Sequence, residues 1–290
     1  MKTTQTNSSL QLFSAKVLFA FNRNKISWIG LILLIVLIAM ALLAPVISRY
    51  NPVEQHILDR LSPPSAKYWL GTDEYGRDLF SRIVWGSRIS LTVGTISVIL
   101  GMIIGSILGI YAGYKGGGRD ELIMRIMDVF MSIPTLLMGL FVVAVLGPSM
   151  VNLIIAIALT VVPRFARIAR APTVSIKERD FIEACRAMGF SDLRIMFVHI
   201  LPTVMGDILV MGSLWVATAV RIEASLSFIG LGVPPPTPTW GGMVREGFEK
   251  MLDSPWASIY PGAFILLAVF AFNLIGDGLR DVIDPKLRES

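Results

Sequence analysis

The sequence predicts an all-α, polytopic membrane protein with six transmembrane helices, and three observations predict this class. Of the 290 residues, 54% are hydrophobic and only 16% are charged, whereas a soluble domain carries about 25% charged residues. The mean hydropathy is +0.67. The apolar residues are gathered in stretches, most of them near the length of about 20 residues that a helix needs to cross a bilayer.

The apolar stretches are joined by segments of higher polarity. The first, "SWIGLILLIVLIAMALLAPVI", contains no charged residue and is too long for the core of a signal peptide, so we expect it to remain as the first span. "GPS" at 147–149 leaves room only for a tight turn between the third and fourth spans. The spans are predicted at about 27–47, 89–111, 122–146, 150–165, 203–227 and 260–276.

Six spans place both termini on one side of the membrane, and the distribution of Lys and Arg indicates which side. Loops on the side of the termini are richer in basic residues, above all the segment 166–202. Because cytoplasmic loops carry the excess of Lys and Arg, we expect both termini in the cytoplasm. The segments 48–88 and 228–259 are then external loops.

Two flanking segments have amphipathic patterns. Residues 1–26 are predicted to form a cytoplasmic segment with an interfacial helix, since apolar residues recur at helical spacing beside basic ones. Outside, Leu79, Phe80, Ile83 and Val84 form an apolar stripe, and the opposite face is polar. That face consists of Arg77, Asp78, Ser81 and Arg82. The two helices either lie on the membrane surface or simply anchor the first two spans.

The segment 166–202 reads as two short helices with a sharp turn. Ser175 stands three residues before Glu178, which is a capping-box arrangement. Gly189 is suited to end the first helix, and Ser191 to cap the second. An apolar stripe lies on the first helix and consists of Phe181, Ile182, Cys185 and Met188. The stripe either packs against the ends of the membrane helices or enters a groove on a partner.

The same segment carries a motif. Glu183-Ala184-Cys185, then Gly189, then Leu201-Pro202 resembles the EAA loop of permease subunits from bacterial ABC importers. That pattern is Glu-Ala-Ala, three residues, Gly, nine residues and Ile-x-Leu-Pro. Cys185 replaces the second Ala and His199 replaces the Ile, and both changes keep the helical pattern.

Three further stretches narrow the resemblance, which extends from about residue 27 to the end of the chain. They are "WLGTDEYGRDLFSRIVWGSRISL", "EASLSFIGLGVPPPTPTWGGM" and "AFNLIGDGLRDVIDPKL". They are similar to the C-type permeases of dipeptide, oligopeptide and nickel importers. The resemblance implies the type I ABC importer permease fold in a bacterial inner membrane and transport of di- or oligopeptides, with nickel, glutathione or another small solute as alternatives.

The resemblance also implies partners. It implies a homologous second permease subunit, two cytoplasmic ATPase subunits that bind ATP and Mg, and an external substrate-binding protein, with no cofactor bound by this chain itself. The EAA-type loop is then the coupling element that docks on an ATPase subunit. The residues assigned to this contact are Phe181, Ile182, Glu183, Ala184, Cys185, Met188 and Gly189.

Charged residues within the spans are a second set of candidates, because charge in a bilayer is costly and faces protein or water. Arg125 and Asp128 lie about one turn apart on the third span and are predicted to pair. Arg221 and Glu223 lie near the outer end of the fifth span. All four are candidates for the translocation pathway or for contact with the second permease.

The sequence lacks motifs of several other functions. "GYKGGGRDE" at 113–121 has no Lys-Ser/Thr pair and is interpreted as a flexible inner loop rather than a nucleotide-binding loop. With one cysteine and two distant histidines, no metal site or nucleophile set is predicted. The basic residues lie between apolar spans, which favours membrane topology over nucleic acid binding. We therefore do not expect this chain to be an enzyme.

Two alternatives of a different class stay open at this point. One is an ion-coupled secondary transporter, which uses carboxylates within the membrane, and the other is a membrane scaffold without transport. The proline-rich external stretch 228–242 is predicted to be non-helical and stiff, since it contains "VPPPTP". It would contact a delivery protein, shape the mouth of the pathway or act as a packing plug.

Overall fold

A computed structural model describes residues 25–283 of the chain. In this range the protein is built from helices and contains a single isolated β-bridge, between Thr72 and Asp78. The predicted surface helix within residues 1–26 falls almost entirely outside the described range. The helices are α1 Lys25–Leu42, α2 Ala44–Ile47, α3 Leu79–Lys115, α4 Gly117–Ser132, α5 Thr135–Leu146, α6 Met150–Ile176, α7 Asp180–Ala187, α8 Asp192–Arg194, α9 Leu201–Phe228, α10 Trp240–Phe248 and α11 Trp256–Ile283.

Helix α3 is the central element and spans 37 residues. It begins at Asp78, whose carboxylate accepts a hydrogen bond from the backbone N–H of Ser81 at 2.8 Å. It therefore includes both the predicted external amphipathic helix and the predicted second span. The chain leaves α3 at Gly116, whose φ is +63°, and α4 starts at the next residue. The expectation of a flexible loop at 113–121 was wrong, because helices reach this glycine from both sides.

Helices α3 and α6 pack closely along the centre of the molecule. At Gly109 an added Cβ atom would lie 2.1 Å from the carbonyl oxygen of Ala166, so the two backbones approach to a distance that only glycine allows. Helix α9 packs against α3 and α11, and α11 packs against α1. One hydrophobic core connects residues from all of these helices.

The region predicted as a single third span is divided into α4 and α5, which meet at an angle of 92°. Ile133 has extended backbone angles, with φ −87° and ψ 127°. Pro134 follows it, and proline disfavours helical geometry in the preceding residue. The span predicted at 122–146 is therefore not one straight helix, and the pair is either a broken span or a re-entrant hairpin.

Helix α6 is longer than the span predicted at 150–165. It begins after Ser149, whose hydroxyl caps the backbone N–H of Asn152 at 3.1 Å, and it continues to Ile176 with Pro163 and Pro172 inside it. Ser175 thus lies within the last turn of α6 and starts no helix. The capping box predicted at this residue was wrong, because α7 begins only after the turn at 177–179.

By length and apolar composition, five helices of the described residues can cross a membrane, and the bent pair of α4 and α5 raises this number to as many as six. A cap lies beyond the N-terminal end of α3. It contains the segment before α3, with a 3₁₀ turn at Ile57–Asp59, and α10. Trp240 holds the cap to α3, since its buried indole donates a hydrogen bond to the carbonyl oxygen of Ile83 at 3.0 Å.

Candidate functional site

The segment between α6 and α9, residues 177–200, is called the coupling segment below. Its first helix, α7, has Asp180 and Glu183 in the first turn and Arg186 in the last, which suits the helix dipole. Gly189 ends it with φ +77°, and the N–H of Phe190 donates to the carbonyl of Cys185 at 3.1 Å. The predicted left-handed cap at Gly189 is confirmed.

The predicted cap at Ser191 is also confirmed, because the Ser191 hydroxyl accepts a hydrogen bond from the backbone N–H of Arg194 at 3.4 Å. After the short α8, residues Ile195–Ile200 form a π-helical stretch that leads directly into α9. The coupling segment thus consists of two short helices with a sharp turn, as the sequence predicts. The second helix differs only in being continuous with the membrane helix that follows.

The apolar stripe of α7 is divided between two environments. Ile182 is fully buried and Cys185 is 5% exposed, and both belong to the main hydrophobic core. Phe181 is 42% exposed and Met188 is 63% exposed. The assignment of all four to a partner contact was therefore wrong for Ile182 and Cys185, which instead anchor the coupling segment to its own membrane helices.

The outer face of α7 presents the other predicted contact residues. Glu183, Ala184 and Gly189 are exposed. Within the part of the chain that the structure describes, the carboxylate of Glu183 has no ion-pair or hydrogen-bond partner. Helix α7 therefore exposes an unpaired carboxylate and, elsewhere around the same helix, the apolar side chains of Phe181 and Met188, which can meet a cation and an apolar groove on another protein.

Four side chains join the coupling segment to the C-terminal end of α3, and we call them the Tyr114 cluster. The Tyr114 hydroxyl donates a hydrogen bond to Asp192 Oδ1 at 2.9 Å, and Lys115 pairs with the other carboxylate oxygen of Asp192. The Arg186 guanidinium lies 5.4 Å from the centroid of the Tyr114 ring. A hydrogen bond with Tyr114 raises the pKa of Arg186 above its usual value.

Sequence analysis missed this cluster. Tyr114 and Asp192 are 78 residues apart, and neither lies in a recognisable motif. The sequence could have indicated these residues only through the prediction that the end of α3 and the coupling segment lie on the same side of the membrane. Many charged residues fit that prediction, so it does not single out this cluster.

The predicted pairing of Arg125 with Asp128 was wrong. Arg125 instead pairs with Glu121, one turn earlier on α4, with 2.5 Å between Nη2 and Oε1. Asp128 pairs with Arg167 of α6. Four residues apart, Glu121 and Arg125 stack on one helix face, and the bend after α4 leaves Asp128 free to meet α6.

A second ion pair joins the same two helices. Arg170 donates two hydrogen bonds to Asp120, at 2.5 and 2.6 Å, in a bidentate arrangement. Arg167, Asp128 and Arg170 line an open cavity of about 390 Å³ between α4 and α6. These four charges hold α4 against the inner half of α6.

The two candidates on α9 lie in opposite environments. Arg221 is exposed and donates a hydrogen bond to the Thr218 hydroxyl at 3.1 Å, so it is available to a pathway or a second permease. Glu223 is fully buried within this chain. Its Oε1 accepts a hydrogen bond from the Ser227 hydroxyl at 2.8 Å, and its Oε2 has no hydrogen-bond partner. The expectation that Glu223 faces a pathway or partner was wrong, because the packing of α3 and α10 around α9 encloses it.

A buried ion cluster in the cap was also missed, and we call it the cap cluster. Arg77 Nε pairs with Asp73 Oδ2 at 2.5 Å, and Arg82 Nε lies 3.3 Å from the same oxygen. Both guanidinium groups also bind Glu246 Oε2, at 2.7 Å from Arg77 and 3.0 Å from Arg82. Arg77 and Arg82, which the sequence places on the polar face of an amphipathic helix, are buried, since the segment before α3 and α10 cover them.

The cap cluster borders an open cavity of about 630 Å³. Its lining includes Pro234, Pro235 and Pro236 of the proline-rich stretch, together with Glu246. This stretch is not helical between 229 and 239, as predicted, and α10 begins at Trp240. The cavity opens beside the outer end of α9.

Comparisons with known proteins agree with this architecture. The profile of the family described as "Binding-protein-dependent transport system inner membrane component" matches residues 105–289. The profile described as "N-terminal TM domain of oligopeptide transport permease C" matches residues 13–64.

Several curated proteins are similar over almost their whole length. The dipeptide transport system permease protein of Alkalihalophilus pseudofirmus is 43% identical, over 92% of this chain and 88% of that protein. The oligopeptide transport system permease protein of Bacillus subtilis is 40% identical, over 98% and 93%. The glutathione transport system permease protein of Pectobacterium atrosepticum is 44% identical, over 92% and 89%.

A solved structure shares the fold. An inward-facing form of the MetNI methionine ABC transporter contains a chain that superposes with a TM-score of 0.58 at 19% identity, over 71% of this chain and 98% of that one. The fold predicted from the resemblance, that of a type I ABC importer permease, is confirmed. This chain therefore belongs to the family of inner membrane components of binding-protein-dependent transport systems, and it is a permease subunit with the ABC importer fold.

Proposed function

We propose that this permease imports di- or oligopeptides, driven by two cytoplasmic ATPase subunits that bind ATP and Mg, and paired with a homologous second permease in a bacterial inner membrane. An external binding protein delivers the substrate. Relatives that are at least 40% identical carry the names of dipeptide, oligopeptide and glutathione transporters. All three substrates are peptides, which supports a peptide over nickel.

The observation that carries the energy-coupling part of the proposal is the exposed face of α7. Phe181, Met188 and Glu183, whose carboxylate is unpaired, are exposed on α7, while Ile182 and Cys185 fix the helix to the membrane domain. A helix that is anchored on one side and apolar on the other is suited to enter a groove on an ATPase subunit. ATPase closure then moves the membrane helices as a rigid body.

Docking is tested by retention of the ATPase subunits after extraction of the complex in mild detergent. We expect Glu183→Ala and Gly189→Pro to lose these subunits while the permease stays inserted in the membrane. Proline cannot adopt the φ of +77° found at Gly189. Glu54→Ala, at an exposed external position, is the matched control and is expected to retain them. Equal retention in all variants would place the docking contact elsewhere.

The substrate class is tested in a strain that lacks the gene. We expect the restored gene to support uptake of a radiolabelled dipeptide and of glutathione more strongly than uptake of ⁶³Ni²⁺. Uptake of nickel alone would contradict the proposal of a peptide substrate. Uptake that needs an ion gradient but continues without the ATPase subunits would favour the secondary transporter instead.

Orientation is tested by labelling single cysteines with a membrane-impermeant maleimide in intact cells. The only native cysteine, Cys185, is buried, which keeps the background low. We expect Leu58→Cys, in the cap, to be labelled in intact cells, and Leu193→Cys, in the coupling segment, to be labelled only after lysis. Both side chains are exposed, so the reverse pattern would place the termini outside.

A further inference from the structure

The coupling segment is joined to α6 and α9 through the backbone, and to α3 through the polar side chains of the Tyr114 cluster. We propose that the Tyr114 cluster locks the coupling segment to α3, so that α3 is the helix which the ATPase moves directly, while α6 and α9 follow through hinges. This inference rests on the proposed function and names the route of the motion.

The covalent connections have the features of hinges. On one side, the turn at 177–179 joins α6 to α7, and Arg179, at the N-cap of α7, provides no side-chain cap. On the other side, the π-helical stretch 195–200 joins the segment to α9, and the N–H of Leu201 donates to the carbonyl of Met196, five residues earlier. Stretches of π-helix are rare, occur frequently at functional sites and allow helices to kink.

The side-chain connection is better defined. Tyr114 is only 6% exposed and lies in the same hydrophobic core as Ile182 and Cys185. Asp192 is held by donors from two successive residues of α3, Tyr114 and Lys115. Arg186 adds a contact from α7 to the same ring. Helix α8 is thus tied to the end of α3 by charge-assisted hydrogen bonds, and α7 is tied to the same end by the contact of Arg186 with the Tyr114 ring.

Helix α3 is suited to carry the motion to the other face of the membrane. It is one continuous helix of 37 residues without proline, and at 1.5 Å per residue it is about 55 Å long. Arg82 in its first turns belongs to the buried cap cluster. The Tyr114 cluster and the cap cluster therefore sit at opposite ends of one rod, and a shift of the coupling segment reaches the cap without passing through a loop.

The test measures distances between pairs of spin labels by pulsed electron paramagnetic resonance. The complete complex, with the second permease and the ATPase subunits, is studied in nanodiscs before and after trapping with ATP and vanadate. The first pair, at Leu193→Cys and Arg88→Cys, reports on the segment relative to α3. The second pair, at Leu193→Cys and Phe228→Cys, reports on the segment relative to α9. All three labelled positions are exposed, and Cys185 is buried.

In an otherwise unaltered chain we expect the first distance to stay constant on trapping and the second to change. In Tyr114→Phe and in Asp192→Asn we expect the first distance to shift by about 2 Å or more, the size of typical helix movements in such transitions. Tyr111→Phe on the same helix and Asp253→Asn in the turn between α10 and α11 are matched controls, and we expect both to keep the first distance constant.

A first distance that changes on trapping without any cluster substitution would overturn the inference, as would constant distances in both Tyr114→Phe and Asp192→Asn. Tyr114→Phe removes only a hydroxyl group, so it serves as the mild variant if Asp192→Asn fails to assemble. Absence of ATPase subunits from the unaltered complex would overturn the proposed function itself. The two failures are distinguishable, because the second is visible in the composition of the purified complex before any label is read.

Discussion

At the scale of single residues, neighbours with similar side chains in the sequence differ in their burial in the fold. Phe181 and Ile182 are adjacent apolar residues of α7, and helical spacing assigns both to one contact surface. In the fold Ile182 is fully buried and Phe181 is 42% exposed. Ile182 is therefore part of the core of the permease, and Phe181 is available to contact another protein.

Substitution of these two residues separates stability from docking. We expect Ile182→Ala to lower the free energy of unfolding by about 2–5 kcal/mol, because it leaves a cavity in the core. Phe181→Ala is expected to keep the stability and to reduce retention of the ATPase subunits. Thermal unfolding of the purified permease and copurification of the ATPase check the two effects. Equal melting temperatures for both variants would contradict the division of the stripe.

Glu223 gives a second contrast at this scale. Its carboxyl group is enclosed, and within the described residues no cation pairs with it. Since an isolated buried charge is costly, we expect Glu223→Gln to fold as well as the unaltered chain and to keep a hydrogen bond with Ser227. Glu223→Ala leaves Ser227 without this partner and is expected to cost about 1–3 kcal/mol. Melting temperatures check this order, and a Gln variant as unstable as the Ala variant would contradict it.

Sequence patterns predicted the caps at Gly189 and Ser191 and the two short helices of the coupling segment. They did not predict which side chains become buried. Gly189 and Ser191 were predictable because a sharp turn and a helix start demand particular residues. Ile182, Arg82 and Glu223 were not, since their burial depends on elements that are far away in the chain. The helical spacing of apolar residues distinguishes the apolar face of a helix from its polar face. It does not show whether the polar face is exposed to water or buried by another element.

At the scale of elements, the contact between α3 and α6 depends on the absence of side chains. An added Cβ atom at Gly109 would overlap the backbone of Ala166, whereas one at Gly118 would have nothing within 4 Å. We expect Gly109→Ala to destabilise the permease by about 1–3 kcal/mol through overpacking.

The matched substitution Gly118→Ala, in the first turn of α4, is expected to be neutral or to stabilise by about 0.4–1 kcal/mol, because alanine loses less backbone entropy on folding. Urea or thermal unfolding in detergent compares the two variants. A Gly109→Ala variant as stable as Gly118→Ala would show that α3 and α6 can separate without cost.

The positions of the membrane helices were predictable from apolar length alone, but their ends and bends were not. Pro134 breaks the region of the third span by 92°, whereas Pro163 and Pro172 are both accommodated inside α6. The same residue type thus ends one helix and not another. Tertiary packing decides the outcome, because neighbouring helices can stabilise a helix that contains proline.

At the scale of the whole molecule, the cap cluster joins three separate parts of the chain: the segment before α3, the start of α3, and α10. Removing one partner of a buried ion pair leaves the other charges uncompensated. We expect Arg82→Ala to destabilise the cap by about 3–5 kcal/mol and to expose the segment before α3 to proteases.

Arg88→Ala provides the control on the same helix, because Arg88 is exposed and its guanidinium lies over the face of Trp85. We expect it to resist proteolysis as the unaltered chain does. The extent of digestion by a protease added outside intact spheroplasts is measured for both variants. Equal digestion of the two would show that the cap holds together without its arginines.

The cap cluster also has a consequence for biosynthesis. Arg82 and Glu246 are 164 residues apart in the chain. At a translation rate of roughly 5–20 residues per second, about 8–30 s pass between the synthesis of Arg82 and the synthesis of Glu246. Until then Asp73 is the only carboxylate of the cap cluster that can pair with Arg77 and Arg82, so one positive charge of the cluster is unmatched. The cap is therefore completed late in synthesis, and we expect quality-control proteases to recognise a nascent chain arrested before residue 246 as unfinished.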